Sequence, residues 1–110
     1  MMENKQTITW SDVLAVHKKQ QAVNFVGSQI VSIICSPSQN KLVSENKIIY
    51  SIPNRKQYLN LIANMKTCIA TNGPIRIFVK KDKNIWEDAG FFKLIASDDF
   101  LEQIDFVLQK

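Results

Sequence analysis

The residues of this chain with the most chemical reach are its cations and a few aromatic rings. Lys80, Lys81 and Lys83 cluster in the segment VKKDKN, Arg55 and Lys56 are adjacent, Lys41 and Lys47 flank a polar stretch, and Arg76 alternates with Ile75 and Ile77. Ammonium and guanidinium groups in such clusters neutralise phosphates, and rings such as Tyr50 and Trp86 offer faces on which bases stack. The balance of charge is uneven along the chain. Residues 1–81 carry eleven Lys or Arg against three acids (+8), and residues 82–110 carry three Lys against seven acids (−4), which together give the net +4. A basic body with an acidic end implies a surface that meets something anionic, with nucleic acid the first candidate. For any single Lys the plain alternative is a solvated surface charge. For Arg76 it is an ion pair with Asp88 or Glu87 across a hairpin.

Other chemistries find little support. His17 is the single histidine, with no ligand-spaced Cys, His or Asp around it, so it reads as a helix-packing residue. Cys35 and Cys68 lie far apart inside apolar patterns and read as reduced core thiols. A structural zinc site needs four such ligands. Glu45-Asn46-Lys47 has the Glu-x-Lys spacing of metal-dependent nucleases, but no acid lies between Asp12 and Glu45 to complete the site. Asp98, Asp99, Glu102 and Asp105 read as a solvated acidic edge that discourages strand pairing. There is no G-x-G-x-x-G and no G-K-[ST], so no nucleotide cofactor is expected.

The elements that must position these groups follow from periodicity and punctuation. Residues 1–8 read as a loose lead-in. A helix opens at Thr9-Trp10-Ser11-Asp12, where Thr9 or Ser11 caps, and its face is Trp10, Val13, Leu14 and His17. Asn24 to Cys35 reads as one bent strand or two short ones, with Gly27 as a bulge. Ser36 to Lys41 reads as a loop, and Lys47 to Ile52 as a strand stopped by Pro53. Tyr58, Leu61, Ile62, Met65 and Ile69 form the apolar stripe of a second helix, ended by Asn72-Gly73-Pro74 with a left-handed residue. Pro74 to Lys80 and Ile85 to Ile95 form a hairpin, with a kink at Ala89-Gly90. Ser97 to Asp99 is read as a loop. Gln103 to Leu108 alternates Ile104, Phe106 and Leu108 with Gln103, Asp105 and Val107 as a final strand. Phe91 and Phe92 are adjacent, so one faces each side of the sheet. An exposed one beside Lys80 and Lys93 would be a stacking platform.

With 110 residues and 45% hydrophobic content, the expectation is one α+β domain with two helices and five or six strands. Its sheet would be small, mixed and strongly bent, or a partly open barrel. The polar N-terminus shows no secretory signal, and no apolar run is long enough to span a membrane, so a cytoplasmic protein is expected.

From Lys47 onward the order NKIIYSIP, helix, GPIRIFVKK, turn, NIWEDAGFFKLI and DFVL resembles the PUA-like superfamily. It is most similar to the SRA/YDG-type modified-base readers of bacterial restriction systems. Tyr50, Arg76, Phe78, Lys80, Trp86, Gly90, Phe92, Phe106 and Leu108 carry the resemblance, which covers a little over half the chain. The chain is short for a full SRA domain. Of a base pocket, only Tyr50 and Ser51 can be placed, near where a pocket strand would run. The resemblance implies a cupped sheet that accepts a flipped or exposed base, in DNA ahead of RNA. The expected function is therefore nucleic-acid binding without catalysis, reading a modified or unpaired base. Its contacts would be Lys41, Lys47, Tyr50, Arg55, Arg76, Lys80, Lys81 and Trp86, with no metal and no cofactor. Two rivals stay open. One is a small bacterial or phage inhibitor or adaptor docking a protein partner through its acidic C-terminal edge. The other is a compact ribonuclease toxin that works without a metal, using Lys, Arg and Tyr.

Overall fold

The computed structural model describes residues 7–18, 22–36, 40–44 (main chain) and 46–110. Strand β1 (Thr7–Ile8) leads into helix α1 (Trp10–His17). The helix starts where it does because Thr9 caps it. The Thr9 hydroxyl accepts from the Asp12 N–H at 3.4 Å, and the Asp12 carboxylate accepts from the Thr9 N–H at 3.1 Å, a reciprocal capping box. Lys18, left-handed at φ 64°, closes it.

Strands β2 (Val23–Val26) and β3 (Gln29–Cys35) form a hairpin. Gly27, at φ +64°, makes its turn and is not a bulge. The register irregularity falls instead between Asn24 and Phe25. Strand β4 (Asn40–Ser44) begins inside the segment read as a loop, so Asn40 and Lys41 are strand residues; 37–39 lie outside the described residues. Strand β5 is Lys47–Pro53.

Asn54 then adopts a left-handed conformation (φ 54°), and the chain enters one 3-10 turn (Arg55–Tyr58) before helix α2 (Leu59–Thr67). The tighter turn shifts the helical phase. Ile62 and Met65 are buried as the stripe predicts, but Tyr58 is displaced outward and is 41% exposed. The left-handed residue past α2 is Ala70 (φ 65°) rather than Asn72 or Gly73. Asn72 has a structural task of its own. Its side chain bonds both the N–H and the C=O of Ile30 (2.7 and 2.8 Å), extending the edge of the sheet.

Strands β6 (Ile75–Asp82), β7 (Ile85–Asp99) and β8 (Gln103–Gln109) complete the fold. Ser97 to Asp99, read as a loop, pair with Phe106, Asp105 and Ile104. The connection is therefore shorter, Phe100 to Glu102. Eight strands are present among the described residues because β1 and β4 fall where a lead-in and a loop were expected. The sheet order is β2-β3-β6-β7-β8-β5-β4, with β1 alongside β7. β3 and β6 run parallel, and every other pair is antiparallel.

The sheet curls because β7 serves two neighbours. Ile85 to Phe92 pair with β6, and Lys93 to Asp99 pair with β8. Near the end of the first stretch Gly90, opposite Ile77 and beside a register shift, sits at φ +91°, a conformation that strains any residue with a Cβ. The result is a strongly bent mixed α+β sheet, as expected. Its concave face holds the main core, in which Ile62 and Met65 of α2 meet Ile33, Ile77, Phe92, Ile104, Phe106 and Leu108. The opposite face of the β3–β6–β7 half carries α1. There Val13 packs with Phe78 and Trp86, flanked by Ile8, Trp10 and Ile34. Both thiols are buried and unpaired. Burial pushes the Cys35 thiol up to about 12. His17 is a packing residue, with Nδ1 2.7 Å from the buried Ser32 hydroxyl. Among the described residues, no helix is long and apolar enough to cross a membrane.

The adjacent phenylalanines separate the two faces. Phe92 is 1% exposed in the concave core, and Phe91 is 55% exposed on the other side. Phe92→Ala should cost about 3–5 kcal/mol of unfolding free energy, and Phe91→Ala less than about 1 kcal/mol, measured by urea titration. Equal losses would refute this assignment of faces.

Candidate nucleic-acid interface

A cleft of about 620 Å³ opens where β5 meets the 3-10 turn, α2 and the start of β2. Tyr50, Ser51, Ile52 and Pro53 supply its floor, Asn54, Tyr58 and Leu61 one wall, and Ala22 and Val23 another. Its volume falls within the range of about 300–1,000 Å³ typical of small-molecule sites. Tyr50 faces the concave core, is 4% exposed and lines the cleft. Burial, reinforced by Cys35 and Tyr58, raises the Tyr50 phenol well above its usual range, so it stays protonated and able to donate. Ser51 points to the other face, where its hydroxyl donates to the Asp105 carboxylate at 2.6 Å and Gln103 donates to the same oxygen at 2.9 Å.

Sequence reasoning picked Tyr50 and missed Tyr58. It placed Tyr58 on the core stripe of a regular helix. The signal that could have found it was Pro53-Asn54, a pair that favours a turn over a clean helical start.

The expected cations do not gather in one place. Lys41 lies on β4 opposite Ile49, and Lys47 begins β5 opposite Gln109. Arg55 stands beside the cleft but is engaged by the β7–β8 turn. Its Nη1 lies 3.1 Å from Asp99 and donates to the Phe100 carbonyl at 3.0 Å. Lys66 of α2 joins the same carboxylate at 3.0 Å. Lys66 and Arg55 together hold Asp99 below the usual carboxylate range. Lys81 pairs with the buried Glu87 at 3.2 Å. Lys80 and Trp86 sit across β6 and β7 from each other, on the α1 face, away from Tyr50.

Arg76 makes the ion pair its alternation suggested. Its Nε donates to Asp88 at 3.2 Å, its Nη2 bonds the same carboxylate, and its guanidinium lies 5.5 Å from the Phe91 ring and 5.6 Å from Phe78. The stacking platform at Phe91 is thus formed with Arg76 rather than with Lys80 or Lys93. Partial burial alone would push the Asp88 carboxyl up. The Arg76 guanidinium, the Gly90 N–H and, more weakly, Lys110 outweigh it, and the carboxyl lies below its usual range. An unfolded Asp titrates near about 3.9. The stabilisation from this lowered group is therefore full above that value and is lost as pH falls through the folded one. Asp88→Asn should lower stability by about 1 kcal/mol at pH 7. Its urea midpoint should converge on the parent's below about pH 3, and a constant gap down to acid pH would contradict the assignment.

No protein-family model matches the chain, and no curated protein matches it. Solved structures do. The SUVH5 SRA domain in complex with fully methylated CG DNA superposes with a TM-score of 0.68 at 19% identity, over 90% of this chain and 80% of that one. KRYPTONITE in complex with mCHG DNA and SAH gives 0.74 at 13% identity, over 99% of this chain and 32% of that one. Arabidopsis thaliana SUVH6 in complex with SAM gives 0.65 at 18% identity, over 90% and 23%. The chain thus spans most of the SUVH5 domain but only about a third or less of the other two proteins. At these identities the likeness is one of architecture, and it agrees with what the segment from Lys47 to Leu108 resembles. The chain has the PUA-like fold of SRA domains.

Proposed function

We propose that this chain is a DNA-binding module that takes one extruded base, modified or unpaired, into the Tyr50 cleft and does no covalent chemistry on it. The observation that carries the reading is the cleft itself. It is concave and largely apolar, and two tyrosines line it, Tyr50 sheltered at 4% exposure and Tyr58 at 41%. A flipped base needs an aromatic or apolar slot with a few hydrogen-bonding groups. Tyr58 and Leu61 offer the slot, and Tyr50 and Asn54 offer the polar groups. The fold supports the choice of DNA, since two of its structural neighbours were solved on methylated DNA. Tyr50 suits recognition better than catalysis, because a phenol held protonated is a poor general base at neutral pH. Arg55, beside the cleft, is the cation we assign to a phosphate there, by exchanging Asp99 for it, and Lys41 and Lys47 are assigned to phosphates farther along the strand. Each such contact adds about one unit to the salt slope of binding.

Fluorescence anisotropy against duplexes with and without methylcytosine, at two salt concentrations, tests the proposal. Tyr58 is exposed enough to be replaced without loss of fold. Tyr58→Ala should weaken binding to the preferred duplex about 5- to 150-fold, the equivalent of about 1–3 kcal/mol of base stacking. A 2-aminopurine placed beside the target base should brighten when parent protein binds, and less with the variant. Equal affinity for all duplexes, unchanged by Tyr58→Ala, would sink the reading.

A further inference from the structure

On the face of the sheet opposite the Tyr50 cleft, a second hollow of about 320 Å³ is lined by Trp10, Lys80, Asn84 and Trp86. We propose that it is a second nucleotide site, in which an unpaired base stacks on Trp10, which Trp86 backs from beneath, while its phosphate meets Lys80. The site is built by contacts between distant parts of the chain. Lys83 and Asn84 turn the β6–β7 hairpin, with Asn84 left-handed at φ 54°. From there the Asn84 side-chain oxygen accepts from the Trp10 N–H at 3.0 Å and ties the start of α1 to the hairpin. That tie places the Trp10 ring 5.1 Å from the Trp86 ring, tilted by 35°. Trp86 is anchored at 8% exposure against Val13 and Phe78, so the pair is a fixed surface and not two loose side chains. Lys80 stands across the ladder from Trp86.

Charge selects the ligand. Arg76 and Lys81, the neighbouring cations on β6, are engaged by Asp88 and Glu87. Lys80 is exposed and has no acidic partner among the described residues. A cationic ligand would be repelled by Lys80. A bare anion or an acidic peptide would use Lys80 but leave the Trp10 indole without a stacking partner. A nucleotide in a flexible single strand uses both, and base stacking on an aromatic face tolerates any sequence. This site does not depend on the Tyr50 cleft.

Trp10 and Trp86 are the only tryptophans in the chain, so intrinsic fluorescence reports on this site directly. The parent protein is titrated with a ten-nucleotide oligo(dT), an abasic strand of equal charge, and poly-glutamate, at low and moderate salt. Saturable quenching by oligo(dT) is expected, with the abasic strand binding about fivefold or more weakly. Lys80→Glu should weaken the oligo(dT) response at least about tenfold, and Lys80→Ala should reduce its salt slope by about one. Both are surface changes that leave the fold intact. Tyr58→Ala should leave the quenching unchanged even where it abolishes the preference for a modified duplex. The proposal is overturned by absence of quenching at low salt, by equal responses to the abasic strand or poly-glutamate, or by loss of quenching in Tyr58→Ala but not in Lys80→Glu.

Discussion

A strand that must pair with one neighbour along its first half and another along its second cannot lie flat. β7 is that strand, and its bend at Gly90 is the constraint from which the rest of the architecture follows. Without it, β6 and β8 would extend one open sheet, and α2 would have a plane to rest on. With it, the sheet becomes a cup. Ile62 and Met65 plug that cup, and the rim between α2 and β5 is left partly unfilled as the Tyr50 cleft. Close packing makes such an unfilled rim informative, since a protein interior normally leaves few voids of this size.

The bend also gives the molecule two working faces with different electrostatics. On the concave side, polar groups are few and sheltered, and the cations nearby are held by the acidic β7–β8 turn. On the convex side, charges and rings are interleaved along β6 and β7, and most of the charges are already paired. The crude excess of positive charge therefore overstates what is free to meet an anion. An Arg stacked between two phenylalanines and held by a carboxylate stiffens a hairpin before it does anything else.

Much of this was legible in the sequence. Thr9 and Asp12 announced α1, the alternation of Ile104, Phe106 and Leu108 fixed which face of β8 is inward, and the adjacency of Phe91 and Phe92 put one ring on each face of the sheet. The sheet's curl could be inferred from Ala89-Gly90. Local rules failed where distant contacts decide. Asp98 and Asp99 look like a loop because acids disfavour strands, but Arg55 and Lys66 compensate Asp99, and both aspartates stay exposed within a paired ladder. Tyr58 looked like core until Asn54 turned the chain into a 3-10 entry. The meeting of Trp10 with Trp86 depends on a hydrogen bond spanning 74 positions, and no window of sequence contains it.

The strand order has a consequence for how the chain comes together. β3, formed early in a hairpin with β2, finds its other neighbour in β6 by a parallel crossover, Ser32 beside Arg76. β5, likewise early with β4, waits for β8, Ser51 beside Asp105. The free edge of β3 is therefore covered once β6 is in place, whereas that of β5 waits for β8, the last strand of the chain. Non-local closure of this kind makes folding slow and concerted, and it leaves the nascent chain open to strand-edge association. The length of β7 then has a further meaning: it is the link that carries the chain from the β2–β3–β6 half to β8, whose pairing with β5 completes the cup.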